Sequence, residues 1–399
     1  MAAGLVLTYH LHRALQLTHP GFLVGAVGHW IDRLGPLGVS IFFVLSGFLL
    51  YRPYAIATLQ AGRGPRLGIY YVRRFSRIFP AYWLALGVFV ATVSTTLIAS
   101  RADFWTFTLL MQNYRTGYEL RGIGVAWTLV IEVSFYIVLP AIAWLLRGPA
   151  GATRRARLRR QIVGLAGLAA IGIAVRVWAL WVREPPTRHI GSFQPWRAPH
   201  AWLPGYLDWF ALGMLLAVAA AWTATGGELP ALLRWCARRA GVAWVVGFGV
   251  YTAVAMLATF PAAGLPYAAG TQMLVTTVFP LAAALIVLPM ALEPDTRGIG
   301  TTLRSTPFVA VGAVSYGIYL WHLTAIRWTQ KWMASGAIPR SAAMQAVLVL
   351  AITGVAATFS YLVVERPLMR LTGGWARRER RRVAGSVSTA STSAPGTEP

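Results

Sequence analysis

An all-α, polytopic membrane bundle of about ten transmembrane helices is the fold class this sequence predicts, and three observations carry that expectation. Of the 399 residues, 57% are hydrophobic and only 12% are charged, far too apolar a balance for a soluble chain of this length. The apolar residues fall in runs of about 18 to 23, each long enough to cross a hydrocarbon core as a helix. The formal charge of +24 is carried mainly by arginines in the short gaps between those runs. There they set topology and meet anionic headgroups, so nucleic acid is not an expected partner while membrane lipid is. A lone cysteine, Cys236, excludes an internal disulfide and any cysteine-rich metal site, and no metal is expected.

The chain opens on an apolar stretch from Met1 to Gln16 that carries His10, His12 and Arg13. It lacks the basic leader and small-residue cleavage site of a signal peptide, and reads as the surviving part of a first span whose true start lies upstream of Met1. Further spans are expected at 37–57, 79–100, 124–146, 162–181, 203–221, 242–260, 273–292, 308–325 and 342–364. Arg52 and Pro53 make the first of these the least regular, although an arginine near a helix end can snorkel to the headgroups. With the amino terminus in the cytoplasm, Arg63, Arg66, Arg73, Arg74 and Arg77 fall inside, as do Arg147, the 154–160 cluster and the 377–382 cluster. Both termini are therefore expected to be cytoplasmic, in a multi-pass protein of the cell (plasma) membrane. The membrane domain is expected to occupy 1–371. Residues 372–399, basic and then rich in Ser, Thr, Ala, Gly and Pro, should form a disordered cytoplasmic tail with no second folded domain.

Ionisable groups within spans are costly, so they mark candidate chemistry. His10 and His12 lie in the first span, Glu132 in the fourth, Arg176 in the fifth, Asp208 in the sixth and His322 in the ninth. Glu365 and Arg366 stand at the exit of the tenth. Tyr136 follows Glu132 by one helical turn on the same face. Ser315, Tyr319 and His322 form a polar stripe at i, i+4, i+7. For both groups the structural alternative is interhelical hydrogen bonding that holds the bundle together. Asp208, beside Tyr206 and Trp209, reads as structural. Histidine is the natural proton carrier near neutral pH, which favours His10 as a catalytic candidate, with His12 on another helix face. Arg74 and Arg77, spaced i, i+3, leave one face if their segment opens a helix. That arrangement suits bidentate binding of phosphate oxygens, the plainer alternative being topology anchors.

Six segments together resemble the membrane acyltransferase family called acyltransferase 3. They are Leu7-Thr8-Tyr9-His10; Gly38 to Leu49, including Phe42-Phe43-Val44-Leu45-Ser46-Gly47-Phe48; Arg74-Phe75-Ser76-Arg77-Ile78-Phe79-Pro80; Trp127 to Tyr136; Ser315 to His322; and Val364-Glu365-Arg366-Pro367. Each is weak alone, but their order and spacing cover nearly the whole chain. The resemblance implies a ten-helix enzyme that takes an acyl group, commonly acetyl, from acyl-coenzyme A. The acceptor it implies is a hydroxyl of a sugar, a cell-envelope glycan or glycolipid, or a secondary metabolite. It implies that His10 is the catalytic histidine and that Arg74 and Arg77 lie at the coenzyme A site. The family also carries an arginine roughly three helical turns before that histidine, a place that here falls before Met1.

Glu132 is a second catalytic candidate, able to orient His10 or the acceptor. Ser46, Trp127, Tyr136, Tyr319 and His322 are candidate substrate-binding residues of the same segments. Acyl-coenzyme A is expected as a co-substrate, with no retained cofactor and no metal. Two mechanisms stay open, general-base catalysis by His10 and an acyl-histidine relay. The competing class is a multi-span transporter or flippase of a glycan or lipid-linked substrate, although neither internal repeats nor paired broken helices are evident.

Overall fold

The computed structural model describes residues 1–115, 117–183, 202–257, 269–293 and 299–375, and all regular structure among them is helical. In chain order the helices are α1 (Ala2–Thr18), α2 (Ala26–Ile31), α3 (Leu34–Leu59), α4 (Leu67–Thr92), α5 (Arg101–Thr108), α6 (Trp127–Leu146) and α7 (Arg154–Val177). They continue as α8 (Leu207–Ala224), α9 (Ala231–Arg238), α10 (Ala240–Leu257), α11 (Ala269–Leu292), α12 (Ile299–Leu303), α13 (Thr306–Ala334) and α14 (Ala342–Ser360). Nine helical stretches among the described residues are long and apolar enough to cross a membrane. The first expected span, α1, has 17 residues, or about 26 Å of helix, and packs against α3 and α13.

Several boundaries differ from expectation: α7 begins at Arg154 and not at 162, α13 runs to Ala334 and not 325, and the ends of two further stretches move as well. The third span was expected at 79–100, but α4 begins at Leu67 and ends at Thr92. Arg73, Arg74 and Arg77 therefore lie two to three turns inside the helix instead of opening it. Leu, Ile, Tyr and Val ahead of the arginines are good enough helix formers to start it early, and the residues after Thr92 turn away into the segment leading to α5. At the other end, the last helical stretch continues to Trp375, across the division expected after 371. The basic and disordered tail expected beyond it falls on 376–399, outside the described residues, as do positions 258–260 of the expected 242–260 span.

Pairwise contacts give the helix directions. Tyr316 of α13 donates to the Ile78 carbonyl of α4, and Trp328 donates to the Thr92 hydroxyl, so α4 and α13 run parallel. His10 meets His322 and Ala14 packs with Ala325 and Ile326, so α1 runs parallel to them. Thr128 meets Tyr319 while Gly124 meets Leu323, so α6 runs the opposite way. This is the alternation required if α1, α4, α6 and α13 are the first, third, fourth and ninth spans of ten. Arg63, Arg66, Arg73, Arg74 and Arg77 then stand at one end of the bundle, and Thr18, Thr92 and Trp328 at the other.

α3 is the central helix. Buried residues occur all round it, the mark of a helix enclosed by others. Its Gly47 and the facing Gly213 of α8 let the two backbones touch. A Cβ at Gly47 would stand 2.2 Å from the Phe210 carbonyl oxygen, and one at Gly213 would stand 1.9 Å from that of Val44. Small residues of this kind drive helix association in lipid, where burying apolar surface against a neighbour gains nothing over burying it against acyl chains. Beside the contact, Phe43, Phe210 and Phe135 stack in sequence and join α3, α8 and α6. Asp208 joins α8 to α7 through a two-pronged pair with Arg176 at 2.6 Å on each arm, and the same guanidinium donates to the Gly205 carbonyl. Both charges are buried, so they neutralise each other within the bundle, as the structural reading of Asp208 requires.

Outside the spans, Ser100 caps α5 through the Asp103 amide. Its hydroxyl, the Tyr118 phenol and Arg115 hold the Asp103 carboxyl below its ordinary range.

The α3–α8 contact generates a direct test. Gly213→Ala should cost about 1 to 3 kcal/mol through overpacking against a carbonyl that has no room to move. Gly241→Ala, at a position with open space around it, should be neutral or slightly stabilising. Thermal unfolding of the two variants in detergent, followed by tryptophan fluorescence, separates them.

Candidate active site

The site lies along one face of α13, where Tyr316, Tyr319 and His322 succeed one another by single turns and meet α4, α6 and α1. Ser315, expected as part of this stripe, bonds the Gly312 carbonyl of its own helix instead, and Tyr316 takes its place. At the middle level the Tyr319 hydroxyl donates to the Val125 carbonyl at 2.9 Å and lies 2.5 Å from the Thr128 hydroxyl, which is itself 3.2 Å from the same carbonyl. Phe42 of α3 stacks on the Tyr319 ring. This knot sets the register of α6 against α13.

One level away is the histidine pair. His10 Nδ1 lies 2.9 Å from the Val6 carbonyl and 3.3 Å from His322 Nε2, and His322 Nδ1 lies 3.1 Å from the Ile318 carbonyl. A carbonyl can only accept, so each Nδ1 is assigned the proton. His322 Nε2 is then an acceptor that shares the His10 N–H with Val6, and His10 Nε2 keeps a free lone pair. His10 is partly exposed whereas His322 is 0% exposed. The outer histidine is thus free to react, and the inner one is placed to hold it. His322, expected as a substrate contact, is the hydrogen-bonding partner of His10.

His12 occupies a different setting. Its Nδ1 lies 2.9 Å from Asp32 Oδ1 and its Nε2 lies 3.3 Å from the Leu23 carbonyl, with Arg13 on the other Asp32 oxygen. His12 therefore belongs to a separate network with Asp32 and the segment before α2, apart from the histidine pair.

The level on the other side of the Thr128–Tyr319 knot belongs to Glu132. Ser46 donates to Glu132 Oε1 at 2.8 Å, and Tyr136 donates a short hydrogen bond to the same oxygen. Arg74, Arg77 and Tyr316 lie within its electrostatic reach, and Arg77 also acts on Glu365. Because α6 and α13 are antiparallel, Glu132 and His322 sit on opposite sides of the knot. Four residues of α6 plus three of α13 put them about 10 Å apart along the axis. Glu132, expected to orient His10 or the acceptor, therefore stands apart from the histidine pair along the axis. Ser46 and Tyr136, expected as substrate contacts, hold this carboxylate.

Arg74 lines a cavity of about 380 Å³ together with Arg63, Arg66, Arg73, Tyr54 and Tyr70. Its Nε is buried without a hydrogen-bond partner among the described residues. Arg77, one turn on, is outside the cavity wall and exposed. Trp127 stands apart from both levels, with its carbonyl accepting from Asn113 and its indole against Tyr206.

Sequence reasoning missed Thr128 and Tyr316, and it missed the contact between His10 and His322. The last joins residues 312 positions apart, and no local pattern signals such a pairing.

A family model described as an acyltransferase domain matches residues 1–365. The chain is 28% identical to the acyltransferase MdmB of Streptomyces mycarofaciens over 410 aligned positions, covering 96% of this chain and 92% of that one. It is 28% identical to the exopolysaccharide production protein ExoZ of Rhizobium meliloti, covering 89% of this chain and 95% of that one. With the peptidoglycan O-acetyltransferase OatA of Listeria monocytogenes it shares 24% identity over 84% of this chain, which spans 51% of that protein. No solved structure matches the chain.

The hydroxyl knot can be tested without an activity assay. Tyr319→Phe and Thr128→Val should each lower stability by about 1 kcal/mol. The two losses should be non-additive, with a coupling of about 0.5 to 1 kcal/mol in a double-mutant cycle of detergent unfolding. Strict additivity would show that the two hydroxyls do not act together.

Proposed function

Because the chain belongs to the acyltransferase 3 family and is a multi-pass membrane enzyme that transfers acyl groups, we propose that it moves an acyl group, acetyl in the simplest case, from acyl-coenzyme A to a hydroxyl. The acceptor is a glycan, glycolipid or secondary metabolite. The observation that carries the reading is the histidine pair, in which the Val6 and Ile318 carbonyls take the two Nδ1 protons and leave His10 Nε2 as an acceptor. MdmB, named an acyltransferase, and OatA, named for O-acetylation of peptidoglycan, support a hydroxyl acceptor. ExoZ, named for exopolysaccharide production, supports a glycan one.

In this mechanism His10 Nε2 removes the acceptor proton as the oxygen attacks the thioester carbonyl. The imidazolium formed keeps its Nδ1–H on the Val6 carbonyl and His322 Nε2, an arrangement that restrains the ring as a carboxylate does in a catalytic triad. Collapse of the tetrahedral intermediate breaks the C–S bond, and the proton on Nε2 passes to the departing thiolate. The ester and free coenzyme A are the products.

The arginine-lined cavity suits the donor's phosphates. Arginine offers bidentate, charge-assisted bonds to phosphate oxygens, and the unpartnered Nε of Arg74 has capacity for one. Glu132, fixed by Ser46 and Tyr136, supplies the countercharge that restrains Arg74 and Arg77. It belongs to the donor side of the site, not to the proton-transfer step. Positive charge favours the cytoplasmic face, so the arginine end of the bundle is assigned to the cytoplasm, where acyl-coenzyme A is available, in the cell membrane.

Two predictions separate these roles. His10→Ala should lower transfer of labelled acetyl from acetyl-coenzyme A by about 10² to 10⁴ while donor binding persists, and His12→Ala should retain the rate wherever it folds. Transfer surviving in His10→Ala at matched protein level would sink the mechanism. Arg74→Ala should weaken acetyl-coenzyme A binding by about tenfold or more, measured by titration of purified protein. Unchanged affinity would reduce Arg74 to a topology anchor.

A further inference from the structure

A second cavity, of about 710 Å³, opens at the end of the bundle opposite the arginine cluster. Its volume lies in the range of sites that enclose small ligands. Arg121, from the segment between α5 and α6, and Arg327 and Lys331, one turn apart on α13, line it together with Trp328, Gln330 and Thr92. No carboxylate is among the lining residues, and none of the three cations has an ion-pair partner among the described residues. The indole N–H of Trp328 is tied to the Thr92 hydroxyl at 2.8 Å and its ring stacks on Trp332, so an aromatic face is fixed beside the charges. The orientation rule that explains the arginines of the other end does not explain these, because it concentrates basic residues on one side only. Cations from two separate chain segments converge here on one hollow.

We propose that this cavity is the acceptor subsite and that it selects acceptors bearing an anionic group, a carboxylate or phosphate, on the saccharide or lipid-linked saccharide that is acylated. The proposal rests on the acyl-transfer reading for its biological meaning, but its chemistry stands on the cavity alone. α13 supplies the scale. Arg327 lies about 8 Å and Lys331 about 14 Å along the helix axis from His322, a separation that suits an anion carried across a sugar ring or on a neighbouring residue, with the ring between them available to the Trp328 face. The donor cavity lies beyond the histidines in the other direction, so the two substrates approach His10 from opposite ends of α13. An anionic lipid headgroup would satisfy the same three cations, and the test separates that source from an acceptor.

The experiment uses the full chain, first in detergent and then in nanodiscs. The probes are a glucuronic-acid disaccharide and the glucose disaccharide of the same linkage, with binding measured by calorimetric titration. Wild type should bind the acidic disaccharide about tenfold or more tightly than the neutral one, as charge-assisted bonds to arginine and lysine require. R327Q/K331Q should lose that preference while still binding acetyl-coenzyme A as wild type does, which also shows that the variant is folded. Equal binding of the two sugars by wild type, no binding of either, or a preference unchanged in R327Q/K331Q overturns the proposal. So does a preference seen in phosphatidylcholine nanodiscs that vanishes when phosphatidylglycerol is included, because it assigns the cavity to a headgroup. A retained preference in a protein that transfers no acetyl group supports the cavity assignment and counts against the acyl-transfer reading alone.

Discussion

Three atoms hold the site in register: the Tyr319 and Thr128 hydroxyls and the Val125 carbonyl that both approach. Lipid offers these groups no alternative partner, so in the assembled bundle they must satisfy one another. Their meeting point decides which residues of α6 face which residues of α13. A shift of one helical turn there would carry Glu132 toward the histidines or past the arginines, and would separate functions that the present register keeps apart. Phe42, stacked on Tyr319, ties the same point to the central helix.

From that register follows a division along the bundle axis. At one end are the arginines, with the carboxylate held by Ser46 and Tyr136 next along the axis; in the middle is the histidine pair; at the other end is a basic, tryptophan-lined cavity. Placing a base between two polar cavities allows two substrates to approach it from opposite sides without either having to cross the bundle. Apart from this arrangement, the buried charges of Arg176 and Asp208 neutralise each other. That economy is expected where each unpaired charge is costly.

The two histidines of α1 show how environment separates identical side chains. His12, two residues from His10, has both nitrogens engaged by Asp32 and a carbonyl. His10 has one nitrogen engaged and one free. The turn between them points one ring at α2 and its preceding loop and the other at α13. The neighbours of each ring, and not its identity, place His12 in a network with Asp32 and His10 in one with His322.

The all-helical membrane architecture was determined by the sequence alone, since runs of about 20 apolar residues have no other stable arrangement in a bilayer. His10, Glu132, Arg74 and Arg77 were likewise legible, because ionisable groups in apolar runs stand out against a background that excludes them. The start of α4 was not legible, since arginines separated by aromatic and aliphatic residues can either open a helix or continue one. Nor was the partnering of these residues. Sequence reasoning left Glu132 to orient either His10 or the acceptor, and the fold brings His322 to His10 across 312 positions and gives Glu132 the Ser46 and Tyr136 hydroxyls. Local sequence specifies which groups must be satisfied inside the membrane, and that requirement is blind to which helix satisfies them. Only the packing of small residues such as Gly47 and Gly213, and the register of α6 on α13, select the partner. Both are properties of pairs of helices, so neither is written in the segment that carries the charge.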